Sequence, residues 1–114
     1  MKPLSLREIS GKSSLLTRAA ADAIIARVRE HADGANGQFA MDLSGVIAVS
    51  PSFVDQLVGG LVRFASERGQ GRVRIRMRAM PTRASSKFAA VARSYGLVLM
   101  ERAAGDWYME EPAS

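Results

Sequence analysis

The sequence predicts a single α/β domain with a mixed β-sheet of four to six strands covered by helices. The chain has 114 residues, of which 47% are apolar and 24% charged, and this is the size and composition of one domain with one core. Segments with a helical repeat alternate with short strand-like segments, as in one sheet packed against helices. The chain has no cysteine and a single histidine, His31, which excludes disulfides, thiol chemistry and multi-histidine metal sites built from this chain alone.

The first part of the chain predicts an edge strand followed by an amphipathic helix. Residues 4–10 alternate apolar and polar side chains, which is typical of a short strand. Apolar residues then recur at every fourth position, so we expect a helix that buries this stripe. Glycine and asparagine within residues 33–37 predict the turn that ends the helix. The stripe consists of Leu16, Ala20, Ile24 and Val28, flanked by Leu15, Ala19 and Ala23.

The middle of the chain predicts a buried strand, a turn and a buried helix. Residues 39–43 are largely apolar, residues 42–45 favour a turn, and residues 46–49 form an apolar connector. The helix begins near Ser52 and is apolar on nearly every side. Gly59 and Gly60 each cost such a helix about 1 kcal/mol relative to alanine, so we expect its backbone to lie close to a sheet or another helix. The predicted packing residues are Phe53, Leu57, Leu61 and Phe64.

A strand and a third helix follow. Val73, Ile75 and Met77 alternate strictly with arginines, which predicts a strand with one core face and one cationic face. Thr82 is a suitable N-cap for the helix that follows, and Gly96 ends it.

The last part of the chain predicts a hairpin of residues 97–100 and 107–109, joined by a turn at residues 103–106. Trp107 and Tyr108 are adjacent, so they face opposite sides of the second strand. We expect the domain to span residues 1–110 and residues 111–114 to form a frayed tail.

The net charge of +5 is concentrated in the arginine strand, because 12 basic and 11 acidic residues remain without its four arginines. One interpretation is a small nucleic-acid-binding protein that contacts phosphates through this face. The other is a solvated face, or one paired with acidic residues elsewhere. Proteins that bind single strands usually have aromatic residues between their basic ones, and no aromatic residue lies between these arginines. The four residues are Arg72, Arg74, Arg76 and Arg78.

Ser50 and Ser52 bring two hydroxyl groups to the start of the buried helix. A helix N-terminus has unpaired N–H groups and a partial positive charge, so a phosphate on either serine would be stabilised there. Capping is the alternative explanation. Either Ser52 forms a capping-box-like pair with Asp55, or Ser50 is the cap and Pro51 the first helical residue. Asp42 and Asp55 make a weak case for a cation site, and loop or cap roles are expected for both.

Residues 13–78 resemble the STAS domains, the fold of bacterial anti-sigma-factor antagonists, and more closely a STAS-like family of unassigned function. The resemblance rests on a strand ending in Asp-Leu-Ser at residues 42–44, an apolar connector, and Ser-x-Ser-Phe-x-Asp at residues 50–55. The preceding helix, with its Arg18, also resembles the second family. In antagonist STAS domains this helix start carries Asp-Ser-Ser-Gly, whose second serine a partner kinase phosphorylates. Ser52 matches that serine, whereas Ser50, Pro51 and Phe53 differ from the motif.

The resemblance implies a regulatory protein-interaction module, a component of a partner switch controlled by serine phosphorylation. The implied partner is a GHKL-type ATPase or kinase. Because most familiar catalytic groups are absent, we expect neither enzymatic activity nor a cofactor. The candidate partner-binding residues are Ser50, Pro51, Ser52, Asp55 and Gln56.

No membrane segment is expected either. The longest run without a charged residue, residues 43–54, is shorter than the roughly 20 residues that a membrane helix needs. The first dozen residues lack the apolar stretch of a signal peptide, so we expect a cytoplasmic protein.

Overall fold

The computed structural model describes residues 3–31, 37–69 and 72–112. In chain order the elements are β1 (Leu4–Ser5), α1 (Leu6–Ser10), β2 (Ser14–Leu15), α2 (Arg18–His31), β3 (Gln38–Asp42), β4 (Ala48–Val49), α3 (Pro51–Glu67), β5 (Arg74–Arg78), α4 (Ser85–Ser94), β6 (Val98–Ala103) and β7 (Asp106–Glu110).

Five of the strands form one mixed sheet in the order β1-β3-β5-β7-β6. The first three are parallel, β7 runs antiparallel to β5, and β6 and β7 form the predicted C-terminal hairpin. The predicted α/β class and the predicted number of strands are thereby confirmed. The strands β2 and β4 form a separate parallel ladder that the sequence did not predict, pairing Ser14 with Ala48 and Leu15 with Val49.

All the long helices lie on one face of the sheet. The buried side chains of the sheet and those of α2, α3 and α4 belong to one apolar core, because alternate strand residues point to the same side. On the opposite face, side chains from Gln38 on β3 to Glu110 on β7 are exposed or half-buried. That face is therefore uncovered within the described residues. The buried sheet residues are Phe39, Met41, Val73, Ile75, Met77 and Met109.

The central helix α3 packs closely against both of its neighbours. A Cβ atom on Gly59 would collide with the hydroxyl of Tyr95 on α4, and one on Gly60 would collide with Ile25 on α2. The predicted close approach of the α3 backbone to another element is confirmed, and the elements that it approaches are the helices α2 and α4. The predicted packing residues of α3 are all buried: Phe53, Leu57, Leu61 and Phe64.

The strand prediction for residues 4–10 was largely wrong. Only Leu4–Ser5 is a strand, and α1 follows it directly. The Ser5 hydroxyl accepts a hydrogen bond from the Glu8 N–H at 3.2 Å, and Gly11 ends the helix with a φ of 72°. Local capping by serine and glycine therefore overrides the alternating pattern.

Two helix starts also differ from the prediction. The helix α2 begins at Arg18, after Thr17, whose hydroxyl accepts from the Ala20 N–H at 3.1 Å. Leu16 consequently precedes the helix and does not belong to its buried stripe. Thr82 does not cap α4, because a turn intervenes and the helix begins at Ser85 without a side-chain cap.

Some predicted features fall outside the described residues. These are most of the turn at residues 33–37 and the end of the predicted tail, residues 113–114. Among the helices that are described, none has both the length and the apolarity needed to cross a membrane.

The helix contact at Gly59 leads to a stability prediction. Alanine normally stabilises a helix interior by about 1 kcal/mol relative to glycine, but overpacking costs about 1–3 kcal/mol. The Tyr95 ring is rigid, so we expect Gly59→Ala to lower the free energy of unfolding by about 1–2 kcal/mol in urea titrations. Gly60→Ala is the comparison variant and should cost less, because the end of the Ile25 side chain can rotate. An increase in stability for Gly59→Ala would contradict this packing.

Candidate functional site

Ser50 is the N-cap of α3. Its backbone is extended, its hydroxyl accepts from the Phe53 N–H at 3.0 Å, and Pro51 is the first helical residue. The same hydroxyl donates to the Leu16 carbonyl at 2.8 Å. Of the two capping explanations, the one with Ser50 is therefore right and the Ser52–Asp55 capping box is wrong. The Ser50 hydroxyl both accepts and donates a hydrogen bond, so a phosphate on it would replace the bond that it donates to Leu16.

Ser52 occupies the second position of α3 and is exposed. Its hydroxyl makes no hydrogen bond to any other described residue. The two predicted phosphorylation candidates are thus physically different. Of the two hydroxyls, that of Ser52 takes no part in the cap of the helix.

Asp55 and Gln56 join three helices through a polar network. Arg18 on α2 contacts the Asp55 carboxylate at 3.4 Å and donates to the Gln56 amide oxygen at 2.9 Å. Gln56 donates to Asp22 at 2.8 Å, and the Tyr95 hydroxyl donates to Asp55 at 3.0 Å. Burial, reinforced by the Asp55 carboxylate, raises the pKa of Tyr95 above its ordinary value. Both residues, predicted to bind a partner, therefore hold the first turns of α3 in place.

The β2–β4 ladder leads directly into the starts of α2 and α3. The Ile47 N–H donates to the Ser13 carbonyl at 2.8 Å, and the Ser50 N–H donates to the Leu15 carbonyl at 3.0 Å. Two large apolar side chains next to this ladder are exposed, with 52% of Leu16 and 72% of Ile47 accessible to solvent.

We call the surface formed by Leu16, Ile47, Pro51 and Ser52 the helix-start patch. The sequence indicated its last two residues but missed the two apolar ones. Leu16 matched the repeat of the α2 stripe, and Ile47 lies in an apolar run that resembles core. Only the ladder, a contact between distant segments, places both residues beside the start of α3.

A lysine also reaches the start of α3. The ammonium of Lys87 on α4 donates to the carbonyl of Val49 at 2.8 Å, directly before the cap. No sequence pattern indicated this contact, which joins residues on different elements. It adds a positive charge at the edge of the helix-start patch.

The Asp-Leu-Ser segment after β3 is a turn stabilised by its aspartate. Asp42 accepts hydrogen bonds from the Ser44 hydroxyl at 2.7 Å and from the Ser44 N–H at 2.9 Å. These bonds, together with the nearby Arg78 guanidinium, hold the pKa of Asp42 below its ordinary value. The expected loop role of Asp42 is confirmed, and Asp55 forms part of the helix network.

The arginine strand lies on the uncovered face of the sheet, and each of its arginines has an acidic neighbour. The Arg76 guanidinium binds both carboxylate oxygens of Asp106, at 3.1 and 3.2 Å. Pairing with acidic residues, one of the predicted alternatives, therefore describes this face. The other pairs are Arg72 with Glu111 at 3.9 Å, Arg74 with Glu110 at 3.2 Å, and Arg78 with Asp42 at 3.5 Å.

Tyr108 lies among these arginines. It is opposite Arg76 in the β5–β7 ladder, and its ring centroid is 4.4 Å from the Arg74 guanidinium carbon and 4.9 Å from that of Arg102. Its neighbour Trp107 packs against the core, as the alternation predicted. An aromatic group therefore does accompany the arginines, but on the adjacent strand, and sequence analysis missed it because strand order was unknown.

The cap assignment predicts a stability difference between the two serines. Ser50→Ala removes two hydrogen bonds of the serine hydroxyl, one accepted from the Phe53 N–H and one donated to the Leu16 carbonyl. We therefore expect the free energy of unfolding to fall by about 1–2 kcal/mol. Ser52→Ala should change this free energy by less than about 0.5 kcal/mol, as for other exposed substitutions. Chemical denaturation of both variants measures the difference. Equal losses for both would contradict the assignment of the cap to Ser50.

No protein-family model, curated protein or solved structure matches the chain significantly. The resemblance to STAS domains stays a prediction from the sequence. The candidate site rests on the geometry of the helix start and of the ladder beside it.

Proposed function

We propose that this protein is a non-enzymatic regulatory module that binds a protein partner through the helix-start patch. One observation carries the proposal: the two most exposed large apolar side chains in the described part of the chain, Leu16 and Ile47, flank the start of α3. Exposed apolar groups beside polar ones are typical of interaction surfaces.

The rigidity of the patch supports the same function. The Ser50 cap, the ladder, and the contacts of Asp55 and Gln56 hold its backbone before any partner arrives. A surface that is already ordered loses less conformational entropy on binding.

The resemblance to STAS domains suggests the partner and its regulation. It implies a GHKL-type ATPase or kinase in the cytoplasm that phosphorylates Ser52. A phosphate of about −1.5 to −2 charges at the second position of a helix is compatible with folding, because it lies near the positive end of the helix dipole. It would change the charge of the patch that the partner contacts.

A matched pair of variants tests this function. Leu16→Ser with Ile47→Ser should abolish affinity capture of a GHKL-type ATPase from the native cell. Val98→Ser with Met100→Ser is the control, because these side chains are 43% and 40% exposed on β6 and lie outside the patch. Capture that survives the first pair, or is lost equally with the control, would exclude the patch as the docking surface.

The captured partner then tests the switch. Ser52→Asp should fold with near-normal stability but bind the purified partner with altered affinity, because it places a negative charge in the patch. Phosphosite mass spectrometry of protein from its native cell should find phosphate on Ser52. Unchanged affinity together with no phosphate on Ser50 or Ser52 would exclude the switch and leave a capped helix.

Single-stranded nucleic-acid binding on the uncovered sheet face is a second candidate function. Tyr108 favours it, because arginines around an aromatic ring match the phosphates and the bases of a single strand. The acidic partners of these arginines oppose it, since they would repel phosphates. We therefore rank it below partner binding.

Replacing the strand arginines with glutamine tests the second function. If the face binds mixed-sequence single-stranded DNA or RNA, affinity should fall with salt, and it should be lost in this variant. Tyr108→Leu should weaken binding by about tenfold, the effect of losing one stacked base. The control removes four arginines from the helix side, and equal losses would indicate nonspecific attraction. The control positions are Arg27, Arg63, Arg83 and Arg93, all exposed.

A further inference from the structure

We infer that two copies of this chain associate through β6, whose outer edge pairs antiparallel with the same strand of a second copy. Leu99 of one copy lies opposite Leu99 of the other in this arrangement. The inference goes beyond the proposed function and concerns a different surface from the helix-start patch.

The strand β6 is the longer edge of the five-stranded sheet. It has six residues, whereas β1 at the other edge has two. Among the described residues, β6 pairs with β7 alone. Soluble proteins usually protect such an edge with charges, a proline or a bulge, because its unpaired backbone groups can bind another strand.

This protection covers the second half of β6. That half carries the charges of Glu101 and Arg102, and its register shifts between Glu101 and Ala103. Residues 98–100 have no charge, no proline and no register shift. The first half of the edge is therefore open to a second strand.

Backbone hydrogen bonds of β5 show which way the groups of β6 point. Along a strand, residues that direct their N–H and C=O groups to one side alternate with residues that direct them to the other. The Arg74 N–H donates to the carbonyl of Gly37, directly before β3. The Arg78 carbonyl accepts from the N–H of Leu43, directly after β3. The even-numbered residues of β5 thus face β3, and its odd-numbered residues face β7.

The register carries this alternation to the edge. Odd-numbered residues of β7 lie opposite odd-numbered residues of β5, so Tyr108 and Glu110 direct their backbone groups to β6. Their register partners, Met100 and Val98, direct theirs to β7. Leu99, between them, therefore directs its N–H and C=O groups to the outer edge.

The side chains of the same residues suit an apolar strand. Val98 and Met100 are exposed on the uncovered face, where Glu110 and Tyr108 also lie. Leu99 points to the opposite face and packs against the core. The edge therefore offers apolar side chains on both faces.

A second copy fits this edge because the edge is complementary to itself. With Leu99 opposite Leu99, Val98 of each copy lies opposite Met100 of the other, so the exposed apolar side chains cover one another. The outward N–H and C=O groups of the two Leu99 residues form reciprocal hydrogen bonds. Apolar burial and backbone hydrogen bonding thus favour the same pairing.

The neighbouring registers are less favourable. A two-fold axis at Met100 would place Val98 opposite the charged Arg102, beside the register shift. An axis at Val98 would pair Leu99 with Leu97, whose N–H already donates to a carbonyl of α4. The Leu99 carbonyl would then have no donor. These contacts favour the axis at Leu99.

The contact is small, so we expect a reversible dimer. Stable complexes bury roughly 800 Å² on each partner, and one strand of six residues supplies less than this. The dimer should therefore form only as the protein concentration rises.

Cysteine cross-linking tests the register, because the natural chain contains no cysteine. Val98 and Met100 direct their backbone groups away from the axis, so across it they form a non-hydrogen-bonded pair. The Cα atoms of such a pair are about 4.5 Å apart, within the reach of a disulfide. Identical residues of the two copies lie diagonally, about 7–8 Å apart, which is too far.

A mixture of Val98→Cys and Met100→Cys copies should therefore form disulfide-linked heterodimers at least about threefold more often than either variant forms homodimers. Intact mass distinguishes these products. Gln38→Cys is the control for random collisions, because Gln38 is exposed at the far side of the same sheet. Homodimers as frequent as heterodimers, or cross-linking no greater than that of Gln38→Cys, would overturn the pairing.

Sedimentation measures the association of the natural chain. The average mass should rise from 12.3 kDa toward twice that value between about 1 μM and about 1 mM, the range of weak interfaces. Val98→Lys should weaken the dimer by about tenfold, as lysine protects natural edges, and Gln38→Lys should leave it unchanged.

A monomer throughout this range, or equal weakening by both lysine variants, would overturn the inference. Leu16→Ser with Ile47→Ser should leave the dimer unchanged. Failure of the dimer and failure of the helix-start patch can therefore be distinguished.

Discussion

The close contact of α3 with both neighbouring helices is the constraint on which the rest of the helix layer depends. Gly59 and Gly60 let Tyr95 and Ile25 touch the α3 backbone, and side chains at these positions would push the helices apart. One turn earlier, the same proximity lets Asp55 and Gln56 reach partners on both sides. The position of the first turn of α3 therefore follows from packing in its middle.

Local patterns predicted the elements well where one segment decides the outcome. Three elements were predicted in this way: β5 from its alternating pattern, α3 from apolar residues on nearly all its sides, and the C-terminal hairpin from its turn. The start of α2 was misplaced, because Leu16 fits a helical repeat whether or not the helix includes it. The ladder and the position of Tyr108 were beyond prediction, since they depend on which distant strands become neighbours.

The two serines illustrate how far sequence analysis could go at the site. The pattern correctly indicated a serine cap at the helix start, but it could not tell which of the two serines is the cap. The assignment depends on the Leu16 carbonyl, 34 residues earlier in the chain, which accepts the Ser50 proton. Such a contact has no signature in the local sequence.

The pairing of arginines with acidic residues on the sheet has a consequence for the whole molecule. The sequence alone assigned the net charge of +5 to the arginine strand, but each of its arginines is paired with a carboxylate, so charges on that face nearly cancel. A ligand of these arginines would therefore have to displace carboxylates that already neutralise them, which weakens the attraction that four guanidinium groups would otherwise exert.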